Sequence, residues 1–161
     1  MQHLFAPWRF AYVSQADSSG GCIFCEAAHN EADPLTLARG ERSFALLNRY
    51  PYTSGHTMVA PFAHVGDLSE LDTAALVDVM RLGQRVVRAL RRVYQPHGFN
   101  VGFNLGEAAG AGIATHLHLH VVPRWRGDTN FMTVNAEVRV LPEDLGETRA
   151  KLRQALEPDG G

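Results

Sequence analysis

The sequence predicts an α+β fold: a mainly antiparallel sheet with a long crossover helix and a C-terminal helix. Three observations carry this. Helical and strand patterns do not alternate regularly along the chain. Two short strand-like runs, 43–47 and about 56–61, are separated by turn residues as in a hairpin. A single amphipathic stretch from about Asp72 to Tyr94 is long enough to cross a sheet. With 161 residues and 45% hydrophobic content, the chain can bury one core and is short for two, so 1–161 reads as a single domain.

Residues 1–21 read as an N-terminal arm. Trp8, Phe10 and Tyr12 alternate along it, a face suited to burial against a partner subunit, and Ser18, Ser19, Gly20 and Gly21 form a flexible joint behind it. The arm lacks the basic start, apolar run and small-residue cleavage site of a secretory signal. No stretch approaches the ~20 apolar residues that span a bilayer, so the expectation is a cytoplasmic protein with no membrane partner. Cys22 and Cys25, the only cysteines, form a C-x-x-C pair. In a reducing compartment this is half a metal site or a redox pair rather than a structural disulfide.

Ser43 to Leu47 suit a strand, Asn48-Arg49-Tyr50-Pro51 breaks it, and a second strand runs from about His56 to Pro61. In the long helix, Leu76, Val79, Met80, Gly83, Val86, Val87, Leu90, Val93 and Tyr94 mark one buried face. Arg81, Arg85, Arg88, Arg91 and Arg92 read as its solvated side. From Phe99 to Leu105 strict alternation assigns Phe99, Val101, Phe103 and Leu105 to the core, and Asn100, Gly102 and Asn104 to something polar. A loop of small residues, Gly106 to Gly112, precedes a strand from His116 to Val122, which Pro123 is expected to end. Residues 126–161 read as a C-terminal extension whose helix, about Pro142 to Leu156, opens on proline and two acids. The formal net charge of −2, from 15 basic and 17 acidic residues, argues against a broad nucleic-acid partner and leaves room for a small anion.

The chemistry concentrates in HLHLHVV. Alternation points His116, His118 and His120 one way and Leu117, Leu119 and Val121 into the core. One histidine on a strand is ordinarily structural; three in strict alternation beside a glycine loop call for a function. At ~3.3 Å per residue the Cα atoms of His116 and His120 lie ~13 Å apart, too far for one ion bound at ~2.0–2.1 Å by all three rings. A row of imidazoles suits an elongated anion, with the central one placed to attack it. Neutral imidazole attacks phosphorus without a separate base when its other N–H is held by a carbonyl. This makes His118 the candidate nucleophile and His120 a donor to the developing charge. The loop containing Gly110 and Gly112 could bring backbone N–H groups close to phosphate.

These features resemble the histidine-triad (HIT) family of nucleotide hydrolases and transferases. The resemblance runs from about Cys22 to Val140 and rests on FALLNRYPYTSGHTMVAP, NLGEAAGAG and HLHLHVV followed by PRW. PWRFAYV, PHGFNVGFNLG and GDTNFMTV are most similar to the diadenosine tetraphosphate phosphorylase branch. It implies that His118 takes up the nucleotidyl group, that His120 binds phosphate beside it, that Asn48 lies near the ribose and that Asn104 approaches the reacting phosphate. It also implies a structural zinc held by Cys22, Cys25, His64 and His116, and no organic cofactor. Many members carry Ser or Thr three or four residues before the first triad histidine, whereas this chain has Gly112 and Ile113 there, and Thr115 is too near His116 to replace it. The expected substrate is an adenine nucleotide or dinucleoside polyphosphate, with phosphate or water as acceptor and a homodimer as the assembly. Hydrolysis of a phosphoramidate, non-catalytic nucleotide binding and metal-dependent hydrolysis are the alternatives. Trp125 stacks on a base or closes an interface; His56 is expected to fix its hairpin strand, while His3, His29 and His97 carry no expected role.

Overall fold

The computed structural model describes residues 21–128 and 143–156. The aromatic arm with its serines, Pro142 and most of the expected C-terminal extension lie outside the described residues. Among those described, five strands form one antiparallel sheet: β1 (Thr36–Arg39), β2 (Ser43–Leu47), β3 (Thr57–Pro61), β4 (Gly98–Phe103) and β5 (Leu119–Arg124). Their spatial order is β1-β2-β3-β5-β4. Helix α1 (Ile23–His29) precedes the sheet, α2 (Thr73–Tyr94) crosses from β3 to β4, and α3 (Leu145–Leu156) follows it. No helix is long and apolar enough to cross a membrane among the described residues.

Strand periodicity divides the sheet into two faces. Ala45, Val59 and Leu119 are opposite one another and point to the side covered by α2 and α3, where Val79, Leu82, Val86, Leu90 and Leu152 complete the main core. Leu46, Met58 and His120 are likewise in register and point to the other side, where Phe24 and Ala27 of α1 close a smaller cluster. The histidine row therefore belongs to the lightly covered face.

Asp72 caps α2 by accepting from the Ala75 N–H at 3.1 Å, and Arg91 and Arg92 occupy its last turn, where cations suit the helix dipole. Met80, expected inside, is 44% exposed, and Leu82 takes its place at 2%. The hairpin of β2 and β3 forms as its turn chemistry suggested, with Gly55 at φ 81° before β3.

Two boundaries and one burial pattern differ from expectation. The strand begins at Leu119 rather than His116, because the backbone from Gly112 to His116 still bends. Pro123 does not end it: β4 pairs with β5 as far as Gly98 and Arg124, while the β3 pairing stops at Val121, so the missing N–H costs no ladder bond there. On β4, Phe99 and Phe103 pack against the main core, but Val101 is 49% and Leu105 41% exposed. Alternation gave the orientation of Val101 correctly; β4 is an edge strand, and α2 crosses β2, β3 and β5 instead.

Candidate active site

Leu117, Leu119 and Val121 are buried, which turns His116, His118 and His120 to the α1 face. The His118 and His120 rings lie 4.8 Å apart, nearly edge to face. Phe24 packs beside the row, with its centroid 5.1 Å from His116 and 4.7 Å from His118. His118 Nδ1 is 2.8 Å from the carbonyl oxygen of His116. A carbonyl only accepts, so Nδ1 carries the proton and Nε2 keeps a lone pair. Burial holds the His118 pKa below the ordinary imidazole value, against the opposing pull of that hydrogen bond, so the ring is neutral at pH 7.

His120 has a neighbour that sequence reasoning assigned only to its strand. His56 is 1% exposed, and its Nε2 lies 3.0 Å from His120 Nδ1. His56 shares the parity of Met58, which lies directly opposite His120, a register that only the fold reveals. Asn48, also buried, accepts the Tyr50 N–H at 2.9 Å and faces His56 through its amide nitrogen at 3.4 Å.

Beside the row lies a cavity of about 650 Å³, walled by Ile23, Ala27, Leu46 and Met58 and edged by the amides Asn30 and Asn48. Its walls are apolar, and Glu26, Asp33 and Arg49 add charged groups to the lining. His29, given no role from sequence, also lines it. Asn104 is half-buried, one residue past the Phe103 to Leu119 pair, and continuing that register sets it opposite His118. The Gly106–Gly112 loop contains a short 3-10 turn whose amides at Ala109, Gly110 and Ala111 bond back to Gly106 and Glu107. The Gly110 amide is thus occupied within the loop, by the Glu107 carbonyl at 2.8 Å.

At the far end of the row, ligand atoms of Cys22, Cys25, His64 and His116 all lie within 4.8 Å of one another. His116 Nδ1 is 3.3 Å from Cys22 Sγ and 3.7 Å from Cys25 Sγ, and His64 Nδ1 is 3.2 Å from Cys25 Sγ. His116 Nε2 donates to the Pro61 carbonyl at 2.9 Å, which leaves Nδ1 as the lone-pair nitrogen facing the thiols. Two thiols and two imidazoles so placed can hold a metal ion.

A family profile described as the HIT domain matches residues 29–127. The chain belongs to the HIT family. It is 40% identical to an AP-4-A phosphorylase of Mycobacterium tuberculosis, over 94% of this chain and 83% of that protein. That likeness to an enzyme over nearly the whole length makes this HIT protein an enzyme as well. Among solved structures it is similar to a Zn-bound histidine triad family protein from Mycobacterium smegmatis, with a TM-score of 0.70 and 34% identity, covering 86% of this chain and 95% of that one. A hypothetical histidine triad nucleotide-binding protein from Sulfolobus tokodaii superposes with a TM-score of 0.70 at 26% identity, covering 84% of this chain and 92% of that one.

Proposed function

We propose that this HIT enzyme transfers a nucleotidyl group from an adenine dinucleoside polyphosphate to inorganic phosphate, by attack at the α-phosphate. The observation that carries the reading is the His118 Nδ1 contact to the His116 carbonyl, which reserves Nε2 for attack. The likeness to an AP-4-A phosphorylase supports the substrate class. With diadenosine tetraphosphate, His118 Nε2 forms a bond to the α-phosphorus as the bond from that phosphorus to the bridging oxygen breaks, and ATP leaves. A phosphate oxygen then attacks the adenylyl-histidine, the P–N bond breaks, and ADP is released. His120 donates from Nε2 to a phosphate oxygen whose charge grows in both steps. Asn48 holds the ribose, Asn104 approaches the reacting phosphate, and Gly112 lets its backbone come close.

Cys22, Cys25, His64 and His116 would hold a zinc ion, and such a closed four-ligand site supplies folding energy rather than a reactive water. Thiol ligands suit the reducing cytoplasm, the location proposed here. The assembly proposed is a homodimer, which sedimentation velocity would test.

The deciding experiment incubates the protein with diadenosine tetraphosphate, with and without phosphate. Phosphorolysis predicts ADP and ATP in equal amounts and dependence on phosphate. Phosphate-independent formation of AMP would instead identify a hydrolase. His118→Asn should abolish turnover and the mass increase of a trapped adenylyl group. Unchanged turnover in that variant would remove the covalent mechanism.

A further inference from the structure

We infer that metal ligation at Cys22, Cys25, His64 and His116 controls nucleotide affinity in the adjoining cavity, through helix α1 and Phe24. The inference rests on the nucleotide-binding reading above and adds a regulatory link to it.

The cluster and the cavity share parts. Helix α1 has seven residues, a length that is marginal in water without tertiary support. Cys22 stands at its N-cap, where its side chain makes no capping hydrogen bond, and Cys25 lies one turn on. At its other end the Arg39 guanidinium donates to the carbonyls of Ala28 at 2.7 Å, Ala27 at 2.8 Å and Asn30 at 3.1 Å. The helix is thus pinned at its C-terminal end by Arg39 and offers two thiols for pinning at its N-terminal end. The residues between these anchors face the site. Ile23, Glu26, Ala27 and His29 line the cavity, and Phe24, 1% exposed, stacks on His118.

His116 is the second shared part. Its ring faces the thiols through Nδ1, while its carbonyl accepts the proton that sets the tautomer of His118. An ion that draws Cys22, Cys25 and His116 together therefore fixes the cavity wall, the Phe24 ring and the carbonyl beneath His118 in one step. Nucleotide binding to a wall already ordered costs less, so affinity rises with the ion in place. Linkage requires the converse: bound nucleotide must tighten the hold on the ion by the same factor.

The test uses the full chain loaded with zinc, and AMP as probe. Calorimetry compares AMP binding before and after zinc is stripped by a chelator, with far-UV circular dichroism to confirm that the stripped protein is folded. Zinc affinity is then measured by competition with a chromogenic chelator, with and without saturating AMP. We expect AMP to bind at least about fivefold more weakly without zinc, and zinc to be held tighter by a similar factor with AMP. Phe24→Leu, which keeps an apolar side chain and removes the ring stack, should bring both ratios towards one. Should the stripped protein unfold, AMP would tighten zinc through folding alone, and the comparison of Phe24→Leu with the unaltered chain in the zinc competition decides. The same AMP-dependent ratio in both overturns the inference. Equal zinc affinity with and without AMP overturns the inference and leaves phosphorolysis standing. Failure of the zinc-loaded protein to bind either AMP or ADP, the product of phosphorolysis, overturns both.

Discussion

The Nε2 atom of His56 lies 3.0 Å from Nδ1 of His120, and their neighbours decide which ring holds the proton. The backbone N–H of Tyr52 donates to His56 Nδ1 at 3.1 Å. The His56 proton therefore sits on Nε2 and is given to His120 Nδ1, which places the His120 proton on Nε2. His118 receives its tautomer from a backbone carbonyl; His120 receives the complementary one from a buried side chain. The two tautomers leave a lone pair on Nε2 of His118 and a proton on Nε2 of His120.

Replacing His56 should misplace the His120 proton without removing His120. We expect His56→Ala to lower kcat for diadenosine tetraphosphate by on the order of 10–100-fold, less than the ~10²–10³-fold that follows loss of a charge-stabilising donor itself. KM should change little. His56→Gln, whose amide can still donate, should recover part of the loss. A KM increase with kcat unchanged would make His56 a binding residue instead.

The pH profile should report the burial of His118. Its pKa is lowered by burial, so the neutral, attacking form persists to more acidic solution than an exposed histidine allows. The acid limb of kcat/KM is expected to have its midpoint below the ordinary value of about 6.5. A midpoint above that value would mean that the titrating base is not one depressed by burial, against the assignment to His118. Activity lost on raising the pH through that region would instead mark a ring that acts protonated.

Close approach of α2 to the sheet depends on Gly83. A Cβ there would meet Leu119 Cδ2 at 2.9 Å, and Leu119 is itself buried at 2% exposure with little room to withdraw. Gly83→Val should cost about 1–3 kcal/mol through overpacking, read as a lower urea midpoint at unchanged slope. Because Leu119 lies between His118 and His120, activity should also fall. A fully active variant of unchanged stability would show that the helix can shift freely.

How much was legible in the sequence follows from the range of each signal. Period-two alternation needs only a few residues, so the common direction of His116, His118 and His120 was readable, as was the long helix from its repeated apolar face. The C-x-x-C spacing identified half of the metal cluster, but His64 lies 39 residues beyond Cys25 and could be attached to it only through the family resemblance. Helix α1 and strand β1 were missed because seven and four residues are too few to display a period. Val101 marks a different limit: a pattern gives the direction of a side chain, whereas its burial depends on which helix passes overhead. The His56 to His120 contact joins residues 64 apart, and no local pattern records it.

Arg39 was also silent in the sequence, since one arginine in a short edge strand looks like a solvated residue. In the fold its guanidinium, half-buried, donates to three carbonyls at the end of α1 and lies 5.9 Å from the Phe44 ring centroid and 5.8 Å from that of Phe62. Arg39→Met keeps much of the apolar stem and removes the donors. The carbonyls of Ala27, Ala28 and Asn30 then lose a charged partner, a change expected to cost about 1–3 kcal/mol in global stability. The local effect should be larger than the global one, because α1 is short and closes one side of the cavity. Hydrogen exchange should quicken in residues 23–30 before it does in β2 or β3, and AMP should bind more weakly with kcat less affected. Uniformly faster exchange across the sheet would instead assign Arg39 to the core as a whole and separate it from the nucleotide site.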